Sequence, residues 1–137
     1  VSTAEVASVI GSLSELRLQH CLVYGIALPN IDGRVGMSAL LVEPGAPPID
    51  MQALFHGLEC HLPDFAHPRF IRLLESAESI DSTLTFKPKK AGLQAEAIEG
   101  GNIYIRDAQA RTFVPLDAET RRGILNFERP LESLKAR

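Results

Sequence analysis

The chain has 137 residues, 45% of them hydrophobic, and a formal net charge of −3. This size allows one compact core and excludes two ordinary domains. The acidic balance lacks the basic stripe that duplex nucleic acid requires, so we expect no nucleic-acid binding. The longest apolar runs, Cys21 to Leu28 and Met37 to Val42, fall short of the roughly 20 residues of a membrane-spanning helix.

The cysteines and histidines argue against a disulfide framework or a metal site. Cys21 falls in a strand-like stretch and Cys60 in a helix-like stretch. We interpret both as small buried apolar residues, which fits a reduced cytosolic setting. His56 and His61 are five residues apart and do not share a helix face, so we predict no metal ligands.

Hydrophobic periodicity predicts helices and strands for the first half of the chain. In chain order these are a helix from Thr3 to Ser12, a strand from Leu18 to Leu28, a second strand from Met37 to Glu43, and a helix that Asp50 caps and Pro63 ends. The link between the two strands is short, which predicts antiparallel pairing. We place this pair at the centre of the sheet.

The hydrophobic pattern of the second half of the chain predicts one more buried strand, a hairpin and short helices. Its elements are a strand from Phe70 to Leu74 that Arg72 interrupts, a helix from Gly92 to Ile98, and hairpin arms from Ile103 to Arg106 and from Thr112 to Val114. Asp117 is predicted to cap a last helix that runs to about Phe127. The sequence thus predicts a single α+β domain over residues 1–127 and a charged tail over residues 128–137.

A short basic run interrupts this otherwise acidic chain. Lys87, Lys89 and Lys90 lie within four positions, and such a local reversal of charge suggests an anionic target such as phosphate or carboxylate oxygens. A solvated surface loop is the alternative interpretation of so short a run. Pro88 fits neither a helix interior nor a central strand, so we expect Lys87 at the exposed end of an irregular loop.

Five short motifs resemble, in order and spacing, the C-terminal domain of acyl-CoA synthetases, with the fatty-acid transport protein or very-long-chain acyl-CoA synthetase branch of the adenylate-forming enzymes as the nearest group. The motifs are Val1-Ser2-Thr3-Ala4-Glu5-Val6, Gly33-Arg34-Val35-Gly36-Met37, Leu62-Pro63-Asp64-Phe65-Ala66-His67-Pro68-Arg69-Phe70-Ile71-Arg72, Thr83-Leu84-Thr85-Phe86-Lys87 and Phe113-Val114-Pro115-Leu116-Asp117.

The resemblance implies a small α+β lid domain with a few-stranded sheet, packed helices and a C-terminal hairpin. It also implies that this domain moves over a larger N-terminal domain, and that the sequence begins just after the interdomain hinge. It implies an ATP-dependent ligase that forms an acyl-adenylate from a fatty acid and then transfers the acyl group to CoA, with Mg accompanying ATP. In this family the lysine that corresponds to Lys87 acts in the first step. The resemblance also places Ser2, Thr3 and Glu5 on the hinge side near CoA, and Lys90 matches a lysine frequent in the branch.

The lysine stretch also departs from the family pattern. Leu84 stands where the family has glycine, Pro88 follows the lysine, and Gly92 replaces an acidic residue. The resemblance implies that the chain alone has no ligase activity and holds no cofactor, and that its partner is the N-terminal domain of the same protein. We expect a cytoplasmic location, either free or peripherally associated with the inner face of a membrane.

Two alternatives remain open at this point. One is a free-standing binding or interaction module that shares the fold, and the other is the corresponding domain of a related ligase that acts on a different carboxylic acid.

Overall fold

The computed structural model describes residues 3–13, 16–28, 33–43, 45–74, 94, 97–99 and 102–125. Within this part of the chain, helices and strands follow one another in the order α1 (Thr3–Gly11), β1 (Leu18–Ile26), β2 (Val35–Val42), α2 (Met51–His61), a 3₁₀ turn (Asp64–Ala66), β3 (Phe70–Leu73), β4 (Ile103–Asp107), β5 (Thr112–Pro115) and α3 (Ala118–Leu125). The predicted α+β class and C-terminal hairpin are confirmed.

The described strands form a single mixed sheet in the order β1-β2-β3-β4-β5. β1 and β2 are antiparallel, as predicted, whereas β2 and β3 are parallel. A parallel pair needs a crossover connection, and α2 supplies it. The prediction that β1 and β2 form the centre was wrong, because β3 and then the β4–β5 hairpin add on the far side of β2 and leave β1 at an edge.

Each face of the sheet carries its own apolar layer. On one face α1 and α2 pack over a core formed by Val6, Ile10, Leu13, Leu16, Val23, Leu40, Leu54, Phe55, Leu58, Leu62, Ile71 and Phe113. On the other face Ile124 of α3 and the fully buried Ile98 join a layer that includes Tyr24, Met37, Phe70 and Ile105. Because strand side chains alternate between faces, β3 is buried on both, which gives the near-continuous apolar run from Phe70 to Leu74.

Side-chain caps begin two of the helices where the sequence predicted them. Asp50 Oδ1 accepts hydrogen bonds from the backbone N–H groups of Gln52 and Ala53, at 3.0 and 3.2 Å. Asp117 Oδ1 accepts from the Thr120 N–H at 2.6 Å. Each cap satisfies donors that the first helical turn leaves without an intrahelical partner.

The helix predicted from Gly92 to Ile98 is described only in part. Gln94 is helical, but Ala97 and Ile98 lie in a turn. Ala97 has a φ of +51°, a left-handed conformation that cannot continue a right-handed helix, so the predicted end at Ile98 was wrong. The lysine stretch and the charged tail lie outside the described residues.

Candidate functional site

The predicted site residues fall mostly outside the part of the chain that the structure describes. Lys87, Lys90 and Ser2 are not described. Thr3 is the first residue of α1, and Glu5 is exposed in the first turn of that helix. The structure nevertheless describes the residues that flank the lysine segment, defined here as residues 75–93.

The chain enters the lysine segment from the end of β3. The backbone N–H of Leu73 donates to the Asn102 carbonyl at 2.9 Å, and the N–H of Leu74 donates to the Leu40 carbonyl at 2.8 Å. The residue before the segment is therefore hydrogen-bonded to β2, in the middle of the sheet rather than at its edge.

Two side chains hold the residues that follow the lysine segment. Gln94 Nε2 donates to the carbonyl of Gly25 in β1 at 3.1 Å. Arg72 Nη2 donates to the carbonyls of Ala97 and Glu99, at 3.2 and 2.6 Å. Gly25 pairs with Gly36 near the start of β2, whereas Leu40 lies near its end. The residue before the lysine segment thus contacts β2 near its end, and the residue after the segment contacts β1 at the level of the start of β2.

A buried polar cluster lies on the sheet face that α2 covers. Arg106 of β4 is 3% exposed, and its Nη2 donates to Asp64 Oδ1 at 2.5 Å and to His67 Nδ1 at 3.2 Å. Its guanidinium carbon lies 4.8 Å from the centre of the Phe55 ring, a cation–π distance. These contacts join the loop after α2 to the C-terminal hairpin.

The hydrogen bonds of His67 define its tautomer and its charge. Nε2 lies 3.1 Å from the carbonyls of both Leu58 and Leu62, so it carries the proton, and Nδ1 accepts from Arg106. Burial is the largest influence on His67 and lowers its pKa, and the Arg106 charge lowers it further, against the opposing effects of the carbonyls and Asp64. His67 is therefore a neutral structural link.

Asp64 is the acidic and more exposed member of this cluster. Burial alone would raise its pKa, but the charge and hydrogen bond of Arg106, helped by the charge of Arg69, outweigh that effect and lower it. The side chain of Asp64 is 73% exposed, so water screens its ion pair with Arg106. The cluster therefore links the loop after α2 to β4 and has a structural role.

The structure corrects half of the prediction about the cysteines. Cys21 is partly buried in β1, and burial raises its pKa to about 11 despite a hydrogen bond with Ser38. Cys60 is exposed near the end of α2, with its sulfur 3.5 Å from His56 Nε2. Cys60 was wrongly predicted as buried, because the buried face of α2 is formed by Leu54, Phe55, Gly57 and Leu58.

Within the described residues, no group of three or more His, Cys, Asp or Glu side chains could hold a metal ion. In the same part of the chain, no helix has the length and apolar content to cross a membrane.

Sequence reasoning missed the two buried arginines that organise this domain. Arg72 and Arg106 are 7% and 3% exposed. Arg72 lies inside a short apolar run and Arg106 ends another, and the sequence predicts both runs as strands. A buried cation at such a position needs hydrogen-bond partners in the fold. That signal was visible at Arg72, which interrupts the run from Phe70 to Leu74, but its partners could not be read from the sequence.

Fold and site together define a small α+β domain with a five-stranded mixed sheet and a basic segment between its third and fourth strands. No protein-family model matches the chain.

Curated relatives match most of the chain. It is 31% identical over 132 residues to long-chain fatty acid transport protein 6 of Mus musculus, covering 93% of the chain and 20% of the relative. It is 38% identical over 117 residues to long-chain fatty acid transport protein 5 of Mus musculus, covering 82% and 16%. It is 34% identical over 123 residues to the medium/long-chain-fatty-acid–CoA ligase FadD6 of Mycobacterium tuberculosis, covering 87% and 19%.

The chain thus spans about a fifth of the length of the curated relatives it matches. These matches confirm the predicted resemblance of the chain to the C-terminal domain of the fatty-acid transport protein branch.

Proposed function

We propose that this chain is the C-terminal mobile domain of a long- or very-long-chain fatty-acid–CoA ligase. The observation that carries the proposal is the similarity of 82 to 93% of the chain to proteins named as fatty acid transport proteins and as a fatty-acid–CoA ligase. The substrates of the whole enzyme are a fatty acid, ATP with Mg, and CoA, and the products of its two steps are an acyl-adenylate and an acyl-CoA.

Lys87 acts in the first of these steps. Attack of a carboxylate on the α-phosphate brings two anions together, and a lysine placed between their oxygens stabilises the transition state and orients the nucleophile. The described flanks support this role, since Leu74 is bonded to β2 at 2.8 Å and Gln94 to β1 at 3.1 Å. Because the residues that flank the segment on both sides are held on the sheet, the domain is suited to present one side chain to a partner domain.

The start of α1 faces the CoA channel in the second step. The exposed Glu5 in its first turn supports a surface role for this end of the chain, beside Ser2 and Thr3. Lys90 contributes a further positive charge for the CoA or nucleotide phosphates.

The partner of this surface is the N-terminal domain of the same protein, which holds the acyl and nucleotide pockets. A domain of this kind supplies few contacts to ligands held elsewhere, so the isolated chain has no ligase activity and binds ATP and CoA weakly. We place the protein in the cytoplasm, with peripheral contact with a membrane that supplies its acyl substrate.

The test uses the full-length product of the gene that encodes this sequence. Pyrophosphate release is measured with ATP and fatty acids of increasing chain length, and acyl-CoA formation is then measured with CoA. The proposal predicts both activities, with the highest rate for long chains, and none from residues 1–137 alone.

Two other outcomes would replace the proposal. Activity only with a different class of carboxylic acid would assign the domain to a related ligase. A full-length product without adenylating activity, together with micromolar binding of ATP or CoA to residues 1–137 by calorimetry, would indicate an independent binding module.

A further inference from the structure

An imidazole and a thiol lie in contact on the exposed face of α2. His56 and Cys60 are four residues apart, a spacing that makes side chains neighbours on one face of a helix. The Nε2 atom of His56 lies 3.5 Å from the Cys60 sulfur, and both residues are exposed. His61, five residues from His56, does not share this face. The helix thus presents two side chains of metal-binding type to solvent, side by side.

The exposure of Cys60 is unusual for its residue type. Cysteine is among the residues most often buried, and its chemistry more than its packing usually decides where it is kept. The buried face of α2 is formed by Leu54, Phe55, Gly57 and Leu58, so packing of the core does not account for this thiol. The chemistry of an accessible thiolate includes soft-metal ligation.

The separation of the two atoms matches one edge of a tetrahedral zinc site. Zn–N bonds of about 2.0 to 2.1 Å and Zn–S bonds of about 2.3 Å place nitrogen and sulfur about 3.5 to 3.6 Å apart at the tetrahedral angle. The 3.5 Å between His56 Nε2 and Cys60 Sγ is therefore the separation that one shared ion requires. The helix holds the two ligands at this separation before any ion binds.

The charged groups beside the pair neutralise each other. Glu59 precedes Cys60 in the chain, and its carboxylate accepts from Arg111 Nη2 at 2.6 Å. The hydrogen bond and charge of Glu59 raise the pKa of Arg111, and the charge of Cys60 adds to that rise, so Arg111 lies close to the thiol. Arg111 thus occupies a carboxylate that an ion could otherwise use. In the described part of the chain, no third His, Cys, Asp or Glu joins the pair in a ligand set.

We propose that His56 and Cys60 form a two-ligand site for a soft divalent cation. Zinc is the ion whose ligand preference and bond lengths the pair fits, with water in the remaining positions. The thiol proton passes to solvent when the ion binds. For His56 this replaces the prediction of no metal ligand, which considered His61 as its partner. Both ligands belong to one helix, so the ion closes no loop and the fold does not depend on it. The inference is independent of the function proposed for Lys87.

Titration of the 137-residue chain with Co²⁺ and then Zn²⁺, in metal-free buffer with a phosphine reductant, tests the site. Co²⁺ should produce thiolate-to-metal charge-transfer absorption that saturates at one ion per chain, and Zn²⁺ should displace it. Cys60→Ser should abolish this absorption. His56→Ala should lower the affinity at least about 10- to 100-fold, the loss that removal of a mere outer-shell partner causes.

Three variants and one condition separate a built site from general metal binding. His61→Ala retains the pair and is the matched control, and Cys21→Ser removes the other thiol, so neither should change the titration. Arg111→Ala releases Glu59 beside the pair and removes a cation, and it should tighten binding several-fold. Urea unfolds α2 and should weaken binding, because the helix no longer holds the two ligands together. Circular dichroism checks that each variant is folded.

The inference is overturned if Co²⁺ gives no charge-transfer absorption, or if Cys60→Ser binds Zn²⁺ as tightly as wild type. The same loss of affinity in His61→Ala as in His56→Ala would also overturn it, because exposed histidines in general would then hold the ion. Weaker binding by Arg111→Ala, or binding that is as tight in urea as in buffer, would contradict the placement of the ion on the folded helix beside Glu59.

Discussion

Arg106 donates a hydrogen bond from Nη2 to Nδ1 of His67 at 3.2 Å, and the imidazole in turn donates from Nε2 to the carbonyls that end α2. This relationship holds only while His67 is neutral, because a proton on Nδ1 would face the Arg106 cation. The loop after α2 and the C-terminal hairpin are therefore joined through a titratable group.

Stability should depend on pH through His67. Its pKa is lowered in the folded state, chiefly by burial, so between that pKa and the ordinary value of about 6.5 the unfolded chain binds more protons. The contribution of His67 is present above about pH 6.5 and declines as the pH falls below it. Urea unfolding of wild type between pH 7.5 and pH 5 should show this loss. His67→Gln should show a smaller one, and an identical loss would assign the dependence to other groups.

Removal of Arg106 should destabilise the domain far more than removal of an exposed arginine. Arg106→Leu leaves Nδ1 of the buried His67 without its donor, which costs about 1 to 3 kcal/mol. Arg17→Leu breaks a half-exposed pair with Glu43 at 3.4 Å, which is worth about 0 to 1 kcal/mol. Denaturant unfolding of both variants measures the difference. Similar costs would mean that the buried cluster contributes no more than a surface ion pair.

The two cysteines should differ sharply in reactivity. Cys60 is exposed, whereas Cys21 is partly buried with a pKa of about 11, and only the thiolate is an effective nucleophile. At pH 8 iodoacetamide should label Cys60 rapidly and Cys21 slowly, as followed by mass spectrometry. In urea both should label at similar rates. Equal labelling of the folded chain would contradict the placement of Cys21 in β1.

The domain should unfold cooperatively and independently of metal or disulfide. Its described core has an apolar layer on each face of the sheet, and small single domains of this kind usually unfold in one transition. Thermal unfolding followed by circular dichroism should give the same midpoint in buffer, in chelator and in reductant. A large loss of stability in chelator or reductant would show that the histidines or cysteines were misinterpreted.

Local chemistry made most of the fold predictable. Asp50 and Asp117 were identified as helix caps from residue type and position, and both accept the expected backbone hydrogen bonds. Alternating and continuous apolar runs located every strand that the structure describes. Such features depend on neighbours in sequence, which is why they can be read from one chain.

Long-range features were not predictable in the same way. The edge position of β1 depends on which side β3 joins, and periodicity carries no information about that choice. The residues that the side chains of Arg72 and Arg106 hydrogen-bond, as described above, lie 25 to 42 residues away in sequence. The exposure of Cys60 depended on the orientation of α2 against the sheet. The short motifs were enough to identify the family resemblance from the sequence. The role of Lys87 stays a prediction.

The central claim is that Lys87 acts in acyl-adenylate formation. The most direct test measures the two half-reactions separately in the full-length gene product, for Lys87→Ala and for the control Lys89→Ala. Loss of one well-placed electrostatic donor costs on the order of 10²- to 10³-fold in rate. Pyrophosphate release by Lys87→Ala should fall by that factor, while acyl-CoA formation from supplied acyl-adenylate should persist, and Lys89→Ala should lose far less. Equal loss in both half-reactions, or no loss in either, would contradict the assignment of Lys87 to acyl-adenylate formation.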